Sequence, residues 1–358
     1  MSQKALVLES AKAPFVVKSI PIPKPGPGQI LVKVLACALN PVDFVVQARD
    51  IFPNVTYPTV LGLDVAGDVE ELGEGVEGYA KGDRVFFAAV YTLNNGGFQQ
   101  YTLKTIADSD IGKVGVVLGS TIPPQISYSE ASSIPLTFAT AAIPLLSANP
   151  VGCGLNPTFD PKVSFNGEAA LVIGGGTSVG QFAIQIFKYV GFSTIITYAS
   201  SKHSDYLKSL GATHVIDRTD VSFSALPEAV KAITPLPIKN IYLAIIVAPE
   251  AFDAGYACLA HGGQMATANP TPPKPDDAEA TGRKIYGVFA STQIEPNIEF
   301  GKAMWKNLPK LMEQRIIKPN RVEMLIPNGL AEVPDALQRF MSGGVSGVKL
   351  VVNPQETT

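Results

Sequence analysis

The sequence predicts an α/β protein in which a doubly wound parallel sheet accompanies a smaller, β-rich domain. The first observation is a strand, a glycine turn and a helix in direct succession over residues 169–191, AALVIGGGTSVGQFAIQIFKYVG. The second is a series of strand-like apolar runs with helical or loop segments between them, at 194–198, 214–216, 241–247, 264–267 and 285–289. The third is the region before residue 104, where short strand-like runs alternate with prolines and glycines. Six parallel strands with crossovers make up a complete dinucleotide-binding sheet.

Length and composition narrow the possible classes of protein. A chain of 358 residues is long enough for two domains, and 46% hydrophobic with 16% charged residues is typical of a globular protein. A net charge of -3 without a basic cluster argues against a nucleic-acid partner. The apolar run 241–248 is much shorter than the roughly 18 residues that span a bilayer, so no membrane partner is expected. The N-terminal residues lack the apolar core of a signal peptide, and the three cysteines are widely spaced, which favours a cytoplasmic location.

The glycine turn is the first candidate binding site. The apolar run 169–173 reads as a buried strand, and apolar residues recur at helical spacing from Gln181 onward. Amides in the first turn of such a helix, together with the helix dipole, bind phosphate. The turn is therefore a candidate phosphate site. The G-x-G-x-x-G pattern is incomplete, because Thr177 holds its middle position, and similar turns also close purely structural crossovers.

The end of the second strand bears on the choice of coenzyme. NAD sites place an acidic residue there, roughly 20 residues past the glycines, to bind the ribose hydroxyls. This chain instead has Tyr-Ala-Ser-Ser-Lys at 198–202 and no carboxylate before Asp205. Hydroxyls and a lysine suit a phosphate, so we predict NADPH, with Ser200, Ser201 and Lys202 at its 2′-phosphate. The alternative is that 200–203 is only a solvated helix start with a serine cap.

The remaining segments are assigned from the same patterns. We predict a helix over 129–142 that leads into the nucleotide-binding domain, and surface loops at 147–167 and 269–282. The C-terminal part reads as a helix, a strand, a helix and a last strand, at 298–313, 322–326, 333–341 and 347–352.

Several short motifs share their order and spacing with a known superfamily. They are Asn40-Pro-Val-Asp43, Gly62-Leu-Asp-Val-Ala-Gly67, Gly82-Asp-Arg-Val85, Gly97-Phe-Gln-Gln-Tyr101, the glycine turn, Gly211-Ala-Thr-His-Val-Ile-Asp217 and Gly347-Val-Lys-Leu-Val-Val352. Over essentially its whole length the chain resembles the medium-chain dehydrogenase/reductase superfamily. It most resembles the zinc-free group of quinone oxidoreductases and fungal trans-acting enoyl reductases. The resemblance implies a GroES-like catalytic domain (1–125 and 297–358) around a Rossmann NADP(H)-binding domain (126–296).

The resemblance also bears on metal binding. Zinc alcohol dehydrogenases of this superfamily carry a cysteine ligand where this chain has Asn40 and a histidine ligand where it has Leu63. A catalytic zinc needs three protein ligands, and no histidine lies in the same half of the sequence as Cys37. The four-cysteine structural zinc lobe is missing too, because no cysteine stands between Cys37 and Cys153. We therefore predict no metal site.

Without zinc, the resemblance implies an NADPH-dependent reductase that delivers hydride to an activated C=C bond of an enone, enal or enoyl thioester, or to a quinone. Hydrogen-bond donors would stabilise the charge that develops on the conjugated oxygen, and water or a side chain would supply the proton. The alternatives are a metal-free carbonyl or alcohol oxidoreductase and a non-catalytic NADPH-binding protein. The expected partner is a small-molecule substrate, and the chain is expected to be a monomer or a homodimer.

Candidate catalytic residues follow from matching positions. Asn40 stands where the metal ligand would be, and its amide can position the nicotinamide ribose or the substrate carbonyl; alternatively, it only starts a turn before Pro41. Thr137 and Thr140 can donate hydroxyls to the carbonyl or to the nicotinamide amide; alternatively, they only cap and pack a helix. For the coenzyme, the matching positions add Arg218 as a phosphate or adenine contact and support Ser200, Ser201 and Lys202 at the 2′-phosphate. They also imply that the pyrophosphate is contacted by six consecutive residues, Gly175, Gly176, Thr177, Ser178, Val179 and Gly180. Val247 and Phe289 are predicted to end strands beside the nicotinamide.

Overall fold

A computed structural model of the protein describes residues 1–49, 55–106, 119–245 and 248–358. The described chain divides into two compact units. The first unit comprises Met1–Leu136, Leu308–Glu313 and Pro319–Thr358, and the second comprises Thr137–Asn307 and Gln314–Lys318. The domain bounds that the resemblance implies stay a prediction. No helix in the described ranges has both the length and the apolar character needed to cross a bilayer.

Strands dominate the first third of the described chain, and helices and strands alternate after it. The strands are β1 (Ser2–Leu8), β2 (Phe15–Pro21), β3 (Gln29–Ala38), β4 (Thr59–Val60), β5 (Asp64–Leu72), β6 (Arg84–Ala88), β7 (Tyr101–Thr105), β8 (Gly119–Thr121), β9 (Ala169–Ile173), β10 (Thr194–Ala199), β11 (His214–Asp217), β12 (Ile238–Leu243), β13 (Gln264–Thr267), β14 (Lys284–Tyr286), β15 (Val322–Leu325) and β16 (Lys349–Val352). The α-helices are α1 (Pro41–Arg49), α2 (Tyr128–Ser132), α3 (Pro135–Leu146), α4 (Ser178–Tyr189), α5 (Ser204–Leu210), α6 (Leu226–Ile233), α7 (Pro249–Cys258), α8 (Ile298–Glu313) and α9 (Val333–Met341). Short 3-10 turns occupy Ser201–His203, Phe223–Ala225, Gly329–Glu332 and Pro354–Glu356.

The first unit is rich in antiparallel strands. Within the described residues, β1 pairs with β2 and β4 in a small sheet, while a larger sheet has the order β15-β16-β3-β5-β6-β8, with β7 also pairing with β3. The last strand, β16, pairs antiparallel with β3 through Val351 opposite Ala38 and Val352 opposite Cys37. Residues from the two ends of the chain therefore share one sheet and one buried apolar core.

The second unit is built on a parallel sheet. In the part of the chain that the structure describes, this sheet has six strands in the order β11-β10-β9-β12-β13-β14. Each neighbouring pair is parallel, and the central strand β9 is buried at every residue, as expected of a strand covered on both faces. This is the doubly wound order of dinucleotide-binding sheets, so the predicted fold class is confirmed. The order reverses between β9 and β12, and ligands of such sheets bind at the carboxyl ends beside this reversal.

Helix α4 shows how the sequence builds this unit. It begins after Thr177, whose hydroxyl caps the first turn, and its apolar residues recur at helical spacing, so that Phe182, Ile186 and Phe187 are fully buried. The helix ends before Gly191, whose φ of +84° is readily adopted only by glycine. The cap at Thr177 and the glycine at position 191 therefore set the two ends of the helix, and its apolar residues are buried between them.

Three predicted elements differ from the structure. The strand predicted over 241–247 is β12, which starts earlier, with a register shift between Ile238 and Asn240, and ends at Leu243. The strand predicted over 285–289 ends at Tyr286, because Gly287 packs tightly against the backbone of the loop before the strand; a Cβ there would lie 2.6 Å from the Asn269 carbonyl oxygen. The helix predicted over 129–142 is two helices, α2 and α3, because the second begins afresh at Pro135.

Gly175 and Gly176 provide a test of how closely the turn after β9 is packed. A Cβ on Gly175 would lie 1.9 Å from Oγ1 of buried Thr197, whereas the nearest atom to a Cβ on Gly176 would be Cδ2 of His203 at 3.5 Å. Neither glycine has a positive φ, so alanine causes no backbone strain at either position. The two substitutions differ only in the space available for the new Cβ. We expect Gly175→Ala to lower the free energy of unfolding by about 1–3 kcal/mol and Gly176→Ala to change it by less than about 0.5 kcal/mol. Urea unfolding followed by circular dichroism measures both, and equal losses would contradict this difference in packing.

Candidate functional site

The turn between β9 and α4 brings the helix N-terminus to the carboxyl edge of the parallel sheet. Gly174 has a φ of +90°, and a Cβ on Gly180 would lie only 2.3 Å from the Gly174 carbonyl oxygen. The first turn of α4 therefore packs directly on the backbone of the glycine turn. At Gly176 there is room, so the open side of the turn can admit a ligand close to the backbone.

Side chains behind the turn hold it in this shape. The Thr177 hydroxyl accepts a hydrogen bond from the Gly180 N–H (3.0 Å) and donates one to the Gly174 carbonyl (2.9 Å). Nε2 of Gln181 donates to the Gly176 carbonyl (3.2 Å), and Oε1 of Gln181 accepts from the Tyr206 hydroxyl (3.1 Å). Thr177, which breaks the G-x-G-x-x-G pattern, is thus the N-cap of α4. The six residues predicted at the pyrophosphate lie together at this end of the helix, where amides and dipole favour an anion.

A second group of predicted residues lies where β10 and β11 end. The 3-10 turn Ser201–His203 directly follows Ser200, and β11 pairs parallel with β10, with Ala199 opposite Asp217. The backbone N–H of Arg218 donates to the Ala199 carbonyl (3.0 Å). The side chains of Lys202 and Arg218 are exposed, so two cations stand at the ends of neighbouring strands, as a phosphate site requires.

Asp217 belongs to this group, although in the sequence it stands out only as part of a motif. Oδ1 of the Asp217 carboxylate accepts a hydrogen bond from the Thr219 N–H (2.9 Å), and Asp217 stands opposite Ala199 at the end of β10. The Ser201 hydroxyl is the main reason that the pKa of Asp217 is lowered to about 2. Asp217 could have been noticed from the rule that the carboxyl ends of adjacent parallel strands meet at one edge of the sheet.

The two residues predicted beside the nicotinamide have different outcomes. Val247 lies outside the described residues. Phe289 does not end a strand, because β14 ends at Tyr286; it lies in the following loop with 53% of its surface exposed. Its carbonyl accepts from the Asn297 side chain (2.9 Å) and from the Ser291 N–H (2.8 Å). A contact between Phe289 and a coenzyme stays a prediction.

In the first unit, Asn40, Asp64 and Lys349 form what we call the buried ion-pair cluster. Nζ of Lys349 lies 3.1 Å from Oδ2 of Asp64 and donates to Oδ1 of Asn40, while Nδ2 of Asn40 donates to Oδ2 of Asp64 (2.9 Å) and to the Ala38 carbonyl (3.4 Å). Oδ1 of Asp64 accepts from the Leu136 N–H (2.6 Å). Asp64 is fully buried and Lys349 is 3% exposed. The cluster therefore satisfies its own charges and hydrogen bonds without solvent.

Asp43 and Cys37 lie beside this cluster. Asp43 accepts hydrogen bonds from the N–H groups of Asn40 (2.8 Å) and Gly62 (3.2 Å) and from the Tyr91 hydroxyl (3.0 Å). Burial nevertheless raises the pKa of Asp43 to about 7, against these bonds, which lower it. Burial also raises the pKa of the Cys37 thiol, and the nearby Asp43 and Asp64 add to that shift. Cys37 is therefore a neutral thiol near pH 7 in the metal-free protein, with little nucleophilic character.

Thr137 and Thr140 lie one turn apart on α3. Thr137 is buried and Thr140 is partly exposed, and their spacing places them on the same face of the helix. The hydroxyl of fully buried Tyr242, on β12, donates to the Thr140 carbonyl (2.9 Å). This bond ties α3 to the central part of the parallel sheet within the second unit. The proposed catalytic contacts of both threonines stay predictions.

The buried ion pair can be tested through stability. Lys349→Met leaves the Asp64 carboxylate buried without its cation, and we expect a loss of about 3–5 kcal/mol in the free energy of unfolding. Adding Asp64→Asn removes the uncompensated charge and should restore part of that loss. The matched control is Lys81→Met, because Lys81 and its partner Glu70 are 68% and 39% exposed; its effect should be far smaller. Urea unfolding measures all of these variants. Equal losses for Lys349→Met and Lys81→Met would contradict the assigned burial.

Comparison with known proteins shows which families, relatives and solved structures this chain is similar to. The family model described as "Alcohol dehydrogenase GroES-like domain" matches residues 26–120, inside the first unit, and the one described as "Zinc-binding dehydrogenase" matches residues 178–306, inside the second. Dehydrogenase azaJ of Aspergillus niger is 33% identical over 361 residues, covering 97% of this chain and 98% of that protein. Trans-enoyl reductase ACTTS2 of Alternaria alternata is 29% identical, covering 98% of each. The solved structure of the quinone oxidoreductase from Coxiella burnetii shares the fold, with a TM-score of 0.71, 24% identity, and coverage of 98% of this chain and 99% of that one.

Proposed function

Because the chain belongs to the medium-chain dehydrogenase/reductase superfamily of oxidoreductases, we propose that it is a zinc-independent, NADPH-dependent reductase of activated C=C bonds or quinones. Membership of this family, with its dinucleotide-binding sheet, implies a nicotinamide coenzyme. Two features of the candidate site support the proposal that the enzyme uses NADPH and works without zinc. The first is that two exposed cations, Lys202 and Arg218, follow the ends of β10 and β11. The second is that the buried ion-pair cluster contains Asn40, at the position where related zinc enzymes carry a metal ligand.

The residues of the second unit fit a dinucleotide phosphate. The amides at the start of α4 would hold the pyrophosphate, and the room beside Gly176 lets a ligand approach the backbone. Lys202 and Arg218 would hold the 2′-phosphate, since both are exposed cations at the ends of adjacent strands. The second strand, β10, ends without an acidic residue, which in NAD enzymes binds the ribose hydroxyls. This set of charges supports NADPH over NADH.

The proposed chemistry divides between the coenzyme and the chain. Bound at this edge of the sheet, NADPH supplies the hydride for the electrophilic carbon of an activated C=C bond or for a quinone. The chain's part is to place donors where negative charge develops on the conjugated oxygen, and we assign that part to the hydroxyls of Thr137 and Thr140. Asn40 is proposed as a positioning residue, because its amide is engaged by Asp64, Ala38 and Lys349. Apolar residues and Gln47 follow its motif, which favours water as the source of the proton.

The residues around Asn40 do not fit a catalytic zinc. An ion bound by Asp64 would lie roughly 2.0–2.2 Å from a carboxylate oxygen, and Oδ2 of Asp64 already has the Lys349 ammonium at 3.1 Å. Two cations at one oxygen repel each other. Within the ranges that the structure describes, no three His, Cys, Asp or Glu side chains gather as a metal site. We therefore propose no step that uses zinc.

A turnover assay tests the proposed reaction. Protein dialysed against a chelator and analysed for metal would be mixed with NADPH and each of a panel of enals, enones, enoyl thioesters and quinones, with simple ketones and aldehydes for comparison. We expect loss of the reduced-nicotinamide absorbance with at least one activated alkene or quinone, at a rate that the chelator does not change. Turnover of simple carbonyls alone, turnover with none of the compounds, or activity that needs added zinc would each contradict the proposal.

Lys202 provides a test of coenzyme choice. Lys202→Ala removes a cation from the proposed 2′-phosphate site, so we expect it to weaken NADPH binding by about tenfold while NADH changes by less than about twofold. The matched control is Lys208→Ala, another exposed lysine on the helix that follows the same turn; it should change neither affinity. Isothermal titration measures both coenzymes. Equal weakening of NADPH and NADH by Lys202→Ala would remove Lys202 from the 2′-phosphate site.

A further inference from the structure

A buried glutamine joins the glycine turn to the segment that follows β10. Gln181, in the first turn of α4, is fully buried. Its Nε2 donates to the Gly176 carbonyl (3.2 Å), and its Oε1 accepts from the Tyr206 hydroxyl (3.1 Å). Since a carbonyl oxygen can only accept a hydrogen bond, the Gly176 carbonyl determines which end of the Gln181 amide faces it. The amide oxygen is then the end that accepts from Tyr206.

Tyr206 belongs to the same segment as Lys202. The 3-10 turn Ser201–His203 continues directly into α5, and Tyr206 lies on α5 four residues after Lys202. The two segments also meet at a second point, because Cδ2 of buried His203 lies beside Gly176, 3.5 Å from the position that a Cβ would take there. The glycine turn and the segment after β10 are therefore held together by the bonds of Gln181 and lie close together at His203.

The spacing of these two segments bears on which coenzyme is bound. In the proposed site, the glycine turn receives the pyrophosphate and Lys202 receives the 2′-phosphate. NADPH carries both groups, whereas NADH has no 2′-phosphate. A shift of the segment after β10 would therefore remove the contact with Lys202 while the pyrophosphate stays bound. Because the lysine stem is flexible, the backbone that carries it has to be held for the ammonium group to take a defined position.

We propose that the hydrogen bond between Tyr206 and Gln181 is a brace for coenzyme selection: it holds the segment that carries Lys202 at a fixed distance from the glycine turn. Tyr206 is then a positioning residue that acts through Lys202. This inference rests on the proposed use of NADPH. It adds Tyr206 and Gln181 to the residues that determine the choice of coenzyme, through position rather than through contact with the 2′-phosphate.

Titration with NADPH and with NADH tests the brace. Tyr206→Phe keeps the ring and removes only the hydroxyl, so we expect NADPH binding to weaken by about three- to tenfold, the size of one neutral hydrogen bond, and NADH binding by less than about twofold. In a Lys202→Ala background, the same substitution should change NADPH binding by less than about twofold, because the residue through which it acts is missing. The matched control is Tyr189→Phe, at the other end of α4, where the hydroxyl donates to the Phe159 carbonyl (3.2 Å). It should change neither affinity.

Hydrogen–deuterium exchange of the backbone amides, measured without coenzyme, tests the brace independently of function. We expect residues 200–206 to exchange faster in Tyr206→Phe than in the unchanged protein, and at an unchanged rate in Tyr189→Phe. An unchanged rate in Tyr206→Phe would show that the hydroxyl does not hold this segment, and it would overturn the inference.

The titrations can overturn the inference while NADPH use itself stands. NADPH binding that Tyr206→Phe leaves unchanged, or equal weakening of NADPH and NADH, would show that the bond does not position Lys202. Losses that multiply in the double variant Lys202→Ala/Tyr206→Phe would show that Tyr206 acts independently of Lys202. Failure of the proposed function is seen separately, because the unchanged protein would then bind NADPH no better than NADH, and the inference would fail with it. Circular dichroism of each variant confirms that a loss of affinity is not a loss of folding.

Discussion

The close approach of helix α4 to the end of strand β9 depends on two glycines, at positions where any larger side chain would clash. Gly175 packs on Thr197 of the neighbouring strand, and Gly180 packs on the carbonyl of Gly174. Because these contacts leave no space for a Cβ, the helix begins directly above the carboxyl edge of the sheet. The orientation of its first amides, and therefore the proposed pyrophosphate site, depends on this close approach. Thr177 and Gln181 then hold the turn from the helix side.

A different interaction organises the first unit. Lys349, on the last strand, pairs with Asp64 and Asn40, which lie near the start of the chain. Its charge is compensated inside the core, in a region where related zinc enzymes hold a cation. In the proposed zinc-independent enzyme, the Lys349 ammonium would keep a positive charge there without the open coordination position of a catalytic zinc. This arrangement supports a reaction in which the substrate is already activated by conjugation.

The local features were predictable from the sequence and the long-range ones were not. The strand, turn and helix at 169–191 could be predicted because apolar periodicity and glycine both act over a few residues. Lys349 and Asn40 are 309 positions apart, and no local pattern reports their contact. Asp217 lies next to the end of β10 only through the pairing of two strands that are separated by a helix in the sequence, so no local pattern indicates it. The end of β14 depends on a loop that packs against Gly287, which strand propensity does not include.

The central claim is that NADPH binds across the carboxyl edge of the second unit's parallel sheet. A crystal structure of the protein grown with NADPH tests it most directly. We expect the pyrophosphate beside Gly176 at the N-terminus of α4, the 2′-phosphate within hydrogen-bond distance of Lys202, and the Asn40–Lys349 contact unchanged, with no metal beside it. A pyrophosphate bound elsewhere, or a metal ion coordinated at Asp64, would contradict this claim.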